Sequence, residues 1–203
     1  MMKIAILVEG ATEVAFREKL REFLQSRLEQ KMPRLRFIPQ HGGIPKERKL
    51  KVIVEKLLDN DGSGAVIALT DVYTGKPDFK DANDAKEKMM GWVQHNPKFY
   101  PHTALHDFEA WLLPYWTTIQ KLAKHNRSAP SGSPETVNHQ KPPSDRIKEI
   151  FSSGQCTRDY DKVIDGKAIL KKNDLMIAIQ ACPELKAFVN RIISLCDEDQ
   201  IIS

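Results

Sequence analysis

The hydrophobic positions of the chain fall into short continuous apolar runs, separated by longer segments with a different spacing. The first run, IAILV at residues 4–8, shows no alternation of polar and apolar side chains. Such a run is typical of a strand that is buried on both faces of a sheet. Comparable patterns predict strands over residues 2–8, 35–39, 64–69 and 99–105.

The segments between these runs carry apolar residues three and four positions apart, which is the spacing of an amphipathic helix. In the first segment Phe16, Leu20 and Leu24 fall on one predicted face. Strands that alternate with helices predict a parallel sheet with right-handed crossovers. The fold class is therefore α/β, a Rossmann-like, mostly parallel four-stranded sheet flanked by helices. These helices are predicted over residues 13–30, 46–58, 81–94 and 107–122.

The pattern changes after residue 125. Four prolines, with Ser, Gly and Asn among them, occupy residues 126–144 and indicate a loop. We interpret residues 1–125 as the α/β core, 126–143 as a Pro-rich loop and 144–203 as a C-terminal helical cap packed on the core. Within the cap, helical spacing predicts helices over residues 144–151, 166–172, 174–181 and 183–196.

The composition is that of an ordinary globular protein. The chain has 203 residues and a formal net charge of +4, which permits a polyanionic partner without requiring one. No apolar run approaches the roughly 18 residues of a membrane-spanning helix, and the first residues lack the pattern of a secretory signal. Cys156, Cys182 and Cys196 are far apart and indicate neither a disulfide framework nor a zinc site. We therefore expect a cytoplasmic protein with no membrane partner.

Acidic and polar residues follow three of the predicted strands. Glu9 follows the first strand, Asp71 the third, and His106 and Glu109 the fourth. Because the carboxyl ends of parallel strands meet at one edge of a sheet, we expect these side chains to converge. Grouped carboxylates repel one another unless a cation joins them, and oxygen ligands suit Mg²⁺ or Mn²⁺. Such a metal commonly serves phosphoryl chemistry, which favours a metal site for a phosphate substrate.

Each of these residues also has a purely structural interpretation. Asp71 could cap a helix or form a turn. Glu13 could complement the helix dipole in a first turn. His106 and Glu109, three residues apart, could form a hydrogen-bonded pair on one helix face at the boundary of the core. Their joint placement favours the functional interpretation over the structural one.

A basic segment follows the second strand. His41, Gly42 and Gly43 lead into Lys46, Arg48 and Lys49. Glycines before a basic helix start could hold a nucleic-acid backbone, and a solvated basic helix face is the alternative. The GK[ST] ending of a P-loop is absent. Arg146 and Lys162 are the candidate cations of the cap.

The segment VEGATE at residues 8–13 resembles the first motif of Toprim domains. These are metal-binding α/β units of topoisomerases, bacterial primases and overcoming-lysogenization-defect (OLD) nucleases. In that family an Asp-x-Asp pair follows the third strand. Asp71 matches the first acid of this pair, and Tyr73 stands at the position of the second.

Nearly the whole chain resembles a family of small, stand-alone Toprim-like prokaryotic proteins catalogued as a domain of unknown function. Genes of this family often lie beside ATPase genes and are suspected of antiphage roles. The resemblance therefore implies an ATPase partner and a function in defence. The shared segments include TDVYTG at residues 70–75, LHDFEAWL at 105–112, PPSDRI at 142–147 and YDK at 160–162.

The resemblance also implies roles for the candidate residues. Glu9 would bind metal or transfer a proton, and Asp71 would bind metal. Glu109, with His106, would replace the missing second Asp, and Glu13 would extend the metal site. The leading hypothesis is a nuclease or phosphodiesterase that depends on Mg²⁺ or Mn²⁺ and acts on nucleic acid. The departure at Tyr73 supports an alternative, a degenerate binding or regulatory module that no longer cuts.

Overall fold

A parallel β-sheet forms the centre of the computed structural model, which describes residues 1–72, 78–137, 141–156 and 158–203, without the side chains of residues 11–13. All three pairs of neighbouring strands are parallel. The α/β class and the parallel sheet predicted from the sequence are therefore confirmed. The strands are β1 (Lys3–Val8), β2 (Arg34–Pro39), β3 (Ala65–Val72) and β4 (Phe99–Leu105), and they lie in the order β2-β1-β3-β4.

Helices connect the strands and continue after β4. None of the described helices is both long and apolar enough to cross a membrane. The α-helices are α1 (Ala11–Leu28), α2 (Glu47–Asp59), α3 (Ala82–Trp92), α4 (Trp116–Ala123), α5 (Pro143–Ser153), α6 (Lys162–Lys171), α7 (Leu175–Ala181) and α8 (Pro183–Ser194). Short 3-10 helices cover Glu29–Lys31, Phe108–Tyr115, Pro134–Thr136 and Glu198–Gln200.

Alternate residues of β1 belong to two apolar clusters, one on each face of the sheet. Ile4 and Ile6 belong to a cluster that includes buried residues of α1 and of α4 to α8. Ala5 and Leu7 belong to the other cluster, with residues of α2 and α3. All four side chains are completely buried, as a strand covered on both faces requires. The C-terminal helices thus share a core with one face of the sheet.

The segment after β4 differs from the regular helix predicted over residues 107–122. It is a 3-10 helix from Phe108 to Tyr115, followed by α4. Pro114 has no backbone N–H to donate, which disfavours a continuous α-helix here. The other seven residues of Phe108–Tyr115 are all buried. The prediction of an α-helix is confirmed over residues 116–122 and wrong over residues 108–115, where nearly every side chain is buried and the apolar spacing defines no single buried face.

Helix α6 begins at Lys162, earlier than the predicted start at residue 166. The Asp161 carboxylate accepts hydrogen bonds from the backbone N–H groups of Val163 and Ile164 and so caps the helix. Asp161 is therefore the N-cap that marks the start of α6, which the spacing of apolar residues alone did not indicate.

The Pro-rich segment is anchored to the core through Glu135, which is 4% exposed. The Glu135 carboxylate accepts hydrogen bonds of 3.0 Å from the Trp111 indole N–H and from the backbone N–H of Glu184. Glu184 lies in the first turn of α8, where backbone N–H groups lack partners within the helix. A carboxylate from the predicted loop therefore accepts hydrogen bonds from backbone N–H groups in the first turn of α8.

Candidate active site

Glu9 lies directly after β1 and is held by the neighbouring strand. Its Oε1 accepts a hydrogen bond from the Thr70 hydroxyl and another, 3.0 Å long, from the backbone N–H of Asp71. Strands β1 and β3 pair with Val8 opposite Leu69, so both chains leave the sheet at the same edge. The structure thus brings together the two acids that were expected to converge from the first and third strands.

A cavity of about 150 Å³ opens beside Glu9 and Asp71. The loop between β2 and α2 forms part of its wall, with Gly42 and Gly43 at φ angles of 132° and 122°. Residues with a Cβ rarely adopt these φ angles, so glycine suits both positions. The ammonium of Lys46 lies 2.6 Å from a carboxylate oxygen of Asp78. The cavity combines acids, a cation and backbone groups, and it is lined by Glu9, Gly42, Gly43, Ile44, Lys46, Thr70, Asp71, Asp78 and Phe79.

Two further carboxylates follow β4 and are almost fully buried. Asp107 is 0% exposed and Glu109 is 1% exposed. The backbone N–H of Ser144, at the start of α5, donates a 3.1 Å hydrogen bond to Asp107 Oδ2. Burial raises the pKa of both carboxyls. For Glu109 the neighbouring Asp107 adds to this effect and brings the pKa to about 7, although Lys162 opposes the shift.

Lys162, the first residue of α6, supplies the positive charge beside these acids. Its Nζ lies 3.1 Å from Oε1 and 3.3 Å from Oε2 of Glu109. Burial by itself would lower the pKa of Lys162, but the acids Glu109, Asp107 and Asp71 together raise it. Strand β3 pairs with β4 with Asp71 opposite Ala104, so Asp71 and the acids that follow β4 lie at the same edge of the sheet. The cavity and the buried acids after β4 therefore form neighbouring parts of one polar edge.

His106 is also buried at this edge, 7% exposed, directly after β4. Burial lowers the pKa of its imidazole, and the opposing effects of Asp107 and the Val72 backbone are smaller. The ring is therefore neutral near pH 7, the form that binds metals. The structural alternative, a hydrogen-bonded pair of His106 and Glu109 on one helix face, does not form among the described residues, because the helix begins only at Phe108 and neither ring nitrogen of His106 has a hydrogen-bond partner there.

The remaining candidate residues either do not line the cavity or lie outside the part of the chain that the structure describes. Arg48 and Lys49 are exposed on α2 and do not line the cavity. Arg146 lies on α5, and its Nε is buried without a hydrogen bond to any residue that the structure describes. The side chain of Glu13 and the whole of Tyr73 lie outside the described residues.

Sequence reasoning gave no role to Thr70, Asp107 or Asp78. Thr70 adjoins Asp71 and Asp107 adjoins His106, both of which were candidate site residues, so the signal was their position within the same short motifs. Asp78 comes next to Lys46 only through tertiary folding, 32 residues apart along the chain. No local pattern could have indicated that contact.

The donor chemistry of the cavity fits a hard divalent cation. Glu9 and Asp71 both line it, and Mg²⁺ in proteins commonly takes one or two carboxylates, with water and substrate oxygens as its other ligands. Among the described residues, no group of three His, Cys, Asp or Glu side chains is arranged to hold an ion. The cavity therefore fits a metal that is shared with a substrate better than one enclosed by protein ligands.

A protein-family model matches residues 8–193, which is most of the chain. The chain belongs to the family described as Domain of unknown function (DUF4276). In this DUF4276 protein the match begins at Val8, the last residue of β1, and covers strands β2 to β4 and the C-terminal helices up to residue 193 of α8. No curated protein matches the chain significantly.

Solved structures of OLD proteins resemble this DUF4276 chain over nearly its whole length. The C-terminal region of the Burkholderia pseudomallei OLD protein is 10% identical, with a TM-score of 0.52, and the alignment covers 98% of this chain and 99% of that chain. At this identity the likeness shows the fold alone. The C-terminal region of the Xanthomonas campestris pv. campestris OLD protein is 11% identical, with a TM-score of 0.47 and coverages of 95% and 96%.

Proposed function

We propose that this protein is a divalent-metal-dependent phosphodiesterase that cleaves nucleic acid at the cavity beside Glu9 and Asp71. The observation that carries the proposal is the hydrogen bond from the Asp71 backbone N–H to Glu9, because it holds the Glu9 carboxylate at a cavity that Asp71 also lines. Lys46 and the Gly42-Gly43 backbone line the same cavity. A lysine and glycine-rich backbone are common phosphate-binding groups, and carboxylates are the usual partners of the metal in phosphoryl transfer.

Glu9 and Asp71 would hold Mg²⁺ or Mn²⁺, which, when bound, supplies positive charge to a phosphoryl oxygen. The Thr70 hydroxyl and the Asp71 N–H orient the Glu9 carboxylate before any ligand arrives. Lys46 would exchange its partner Asp78 for a phosphate oxygen of the substrate. The exposed cations Arg48 and Lys49, near Lys46 in the chain, would attract the nucleic-acid backbone.

Glu109 is suited to proton transfer in this scheme. With a pKa of about 7 it can both accept and release a proton near neutral pH, as a general acid or base must. Lys162 beside it would stabilise negative charge on the phosphate. His106 and Glu13 remain candidate metal ligands, and Arg146 a candidate phosphate ligand, on the sequence resemblance alone.

We further propose that the fold is Toprim-like and that the protein acts in the cytoplasm of a prokaryote, in antiphage defence, with an ATPase partner. The motifs at residues 8–13 and 70–75 support this assignment. The shared fold with the C-terminal region of the Burkholderia pseudomallei OLD protein supports it as well. Affinity purification of the tagged protein from its native cell tests the partner: co-purification of an ATPase supports the proposal, and its absence contradicts it.

Cleavage of labelled single-stranded DNA, duplex DNA and RNA tests the proposed activity. The wild-type protein should cleave at least one of them with Mn²⁺ and none with EDTA. Glu9→Gln and Asp71→Asn should each lower the rate by about 100-fold. Asp59→Asn removes an exposed acid at the end of α2 and should leave the rate unchanged. Equal cleavage by the wild type, Glu9→Gln and Asp71→Asn would overturn the assignment.

A second candidate function is a regulatory module that binds nucleic acid or a partner without cutting. One observation favours it: the ammonium of Lys162 already neutralises Glu109, the residue expected to complete the metal site. Fluorescence anisotropy with a labelled oligonucleotide separates the two functions. Binding that is equal in Mn²⁺ and EDTA, with no product formed, would favour the module.

A further inference from the structure

Residues 158–165 form a polar turn at the start of α6, built around Asp165, which is 1% exposed. Nη1 of Arg158 donates a 2.7 Å hydrogen bond to one carboxylate oxygen of Asp165, and Nη2 donates to the other. The backbone N–H of Asp161 donates a further hydrogen bond, 2.8 Å long, to Asp165 Oδ2. The side chain of Asp165 therefore ties the residues that enter α6 to the first turns of the same helix.

Asp161 fixes the other side of the turn. Its Oδ1 accepts hydrogen bonds of 2.9 Å from the Val163 N–H and 2.7 Å from the Ile164 N–H. Lys162 lies between Asp161 and these two donors. The backbone of Lys162 is thus held on both sides by carboxylates, which restricts the directions in which its side chain can leave the helix.

The side chain of Lys162 leaves this turn toward Glu109, where its Nζ lies 3.1 Å from the carboxylate. The Lys162 side chain remains 41% exposed, so packing alone does not hold it in place. A long, partly exposed lysine loses much conformational freedom when it is fixed at one partner. A rigid backbone at its base lowers that cost.

The remainder of α6 is held independently of the turn. Lys167 forms an ion pair of 2.9 Å with Glu18 on α1, and Ile169 and Leu170 are buried in the shared core. The Arg158 side chain is 48% exposed, so solvent screens its ion pair with the buried Asp165, and such a pair usually adds little net stability. Docking of the helix therefore does not explain the pair, whereas placement of Lys162 does.

We propose that Asp165, with Arg158, is a positioning residue that sets the ammonium of Lys162 against Glu109. Only the proposed catalytic role of Lys162, stabilising negative charge on the phosphate, rests on the proposed function. The placement itself can be measured whether or not the protein cleaves nucleic acid.

Amine labelling of the intact protein, read residue by residue by peptide mass spectrometry, measures that placement. An ammonium engaged with a carboxylate reacts slowly, so Lys162 should be protected in the wild type. In Asp165→Asn the labelling rate of Lys162 should rise by about three-fold or more, as expected for loss of a favourable charge contact. Glu109→Gln removes the partner itself and should raise the rate in the same direction.

Lys167 is the internal control, since it lies on the same helix and its ion pair with Glu18 requires α6 to stay docked. Protection lost at Lys162 and kept at Lys167 supports the proposal. An equal rise at both lysines, or no rise at Lys162, overturns it. Arg158→Lys keeps a cation beside Asp165 but loses the two-point contact, so it gives the same test if Asp165→Asn does not fold.

A kinetic comparison extends the test if the wild type cleaves nucleic acid. Asp165→Asn should lower kcat but leave the affinity for Mn²⁺ unchanged, and it should have no further effect on kcat in a Lys162→Met background. Additive losses in the double variant would contradict an action through Lys162. Absence of cleavage by the wild type would count against the proposed function and leave the labelling result to decide the positioning role.

Discussion

The carboxylate of Glu9 accepts a 3.0 Å hydrogen bond from the backbone N–H of Asp71, so the acid that follows β1 is held by the backbone of the adjacent strand β3. Because the donor belongs to the backbone, Asp71→Asn removes the charge of Asp71 without removing this support for Glu9. The position of one acid and the charge of the other can therefore be tested separately.

Loss of the Thr70 hydroxyl should leave the Glu9 carboxylate less well oriented for metal binding. Thr70→Val keeps the shape of the buried side chain and deletes the hydroxyl that donates to Glu9 Oε1. We expect the affinity for Mn²⁺ to fall by about 10-fold, the size of effect typical of groups that orient a metal ligand. Thr70→Ser retains the hydroxyl and should bind Mn²⁺ as the wild type does. Equal affinities in Thr70→Val and Thr70→Ser, measured by calorimetry, would contradict the orienting role.

Glu109 should make the protein less stable as the pH rises. Its folded pKa of about 7 lies above the ordinary value of 4.5, so the folded state keeps a proton that the unfolded state has released. The stabilising contribution is complete below about pH 4.5 and is lost as the pH rises through 7. Between pH 5 and 8 the free energy of unfolding should fall by about 3 kcal/mol more in the wild type than in Glu109→Gln. Urea unfolding of both proteins at several pH values measures this difference, and parallel curves would refute the raised pKa.

Two glycines should respond to alanine in opposite ways. A Cβ at Gly154, just after α5, would collide with the carbonyl oxygen of Ala123. Gly154→Ala should therefore lower the free energy of unfolding by about 1–3 kcal/mol. A Cβ at Gly91, within α3, meets open space, and Gly91→Ala should raise stability by up to about 1 kcal/mol. Chemical denaturation of both variants measures their free energies of unfolding. A Gly154→Ala variant as stable as the wild type would contradict this packing.

Much of the fold could be predicted from the sequence, because apolar patterning reports burial directly. The runs in β1 and β3 are buried on both faces, and such strands leave an unambiguous signature. The segment from Phe108 to Tyr115 could not be predicted in the same way, since a stretch in which nearly every side chain is buried, Glu109 included, has no exposed face to define its period. Tertiary packing and Pro114 decide its conformation.

The candidate site could be predicted only where residues lie at strand ends. Parallel strands place Glu9 and Asp71 at one edge whatever the rest of the chain does. The contacts between Lys162 and Glu109, and between Lys46 and Asp78, join residues 53 and 32 positions apart. These depend on how the loops and the C-terminal helices close over the sheet, which a single sequence does not specify.

The measurement that tests the central claim most directly is a calorimetric titration of the protein with Mn²⁺. The wild type should bind the ion, and Glu9→Gln and Asp71→Asn should each weaken binding by at least about 10-fold. Asp59→Asn should bind as the wild type does. No binding by the wild type, or undiminished binding by both Glu9→Gln and Asp71→Asn, would contradict a metal site shared by these two acids.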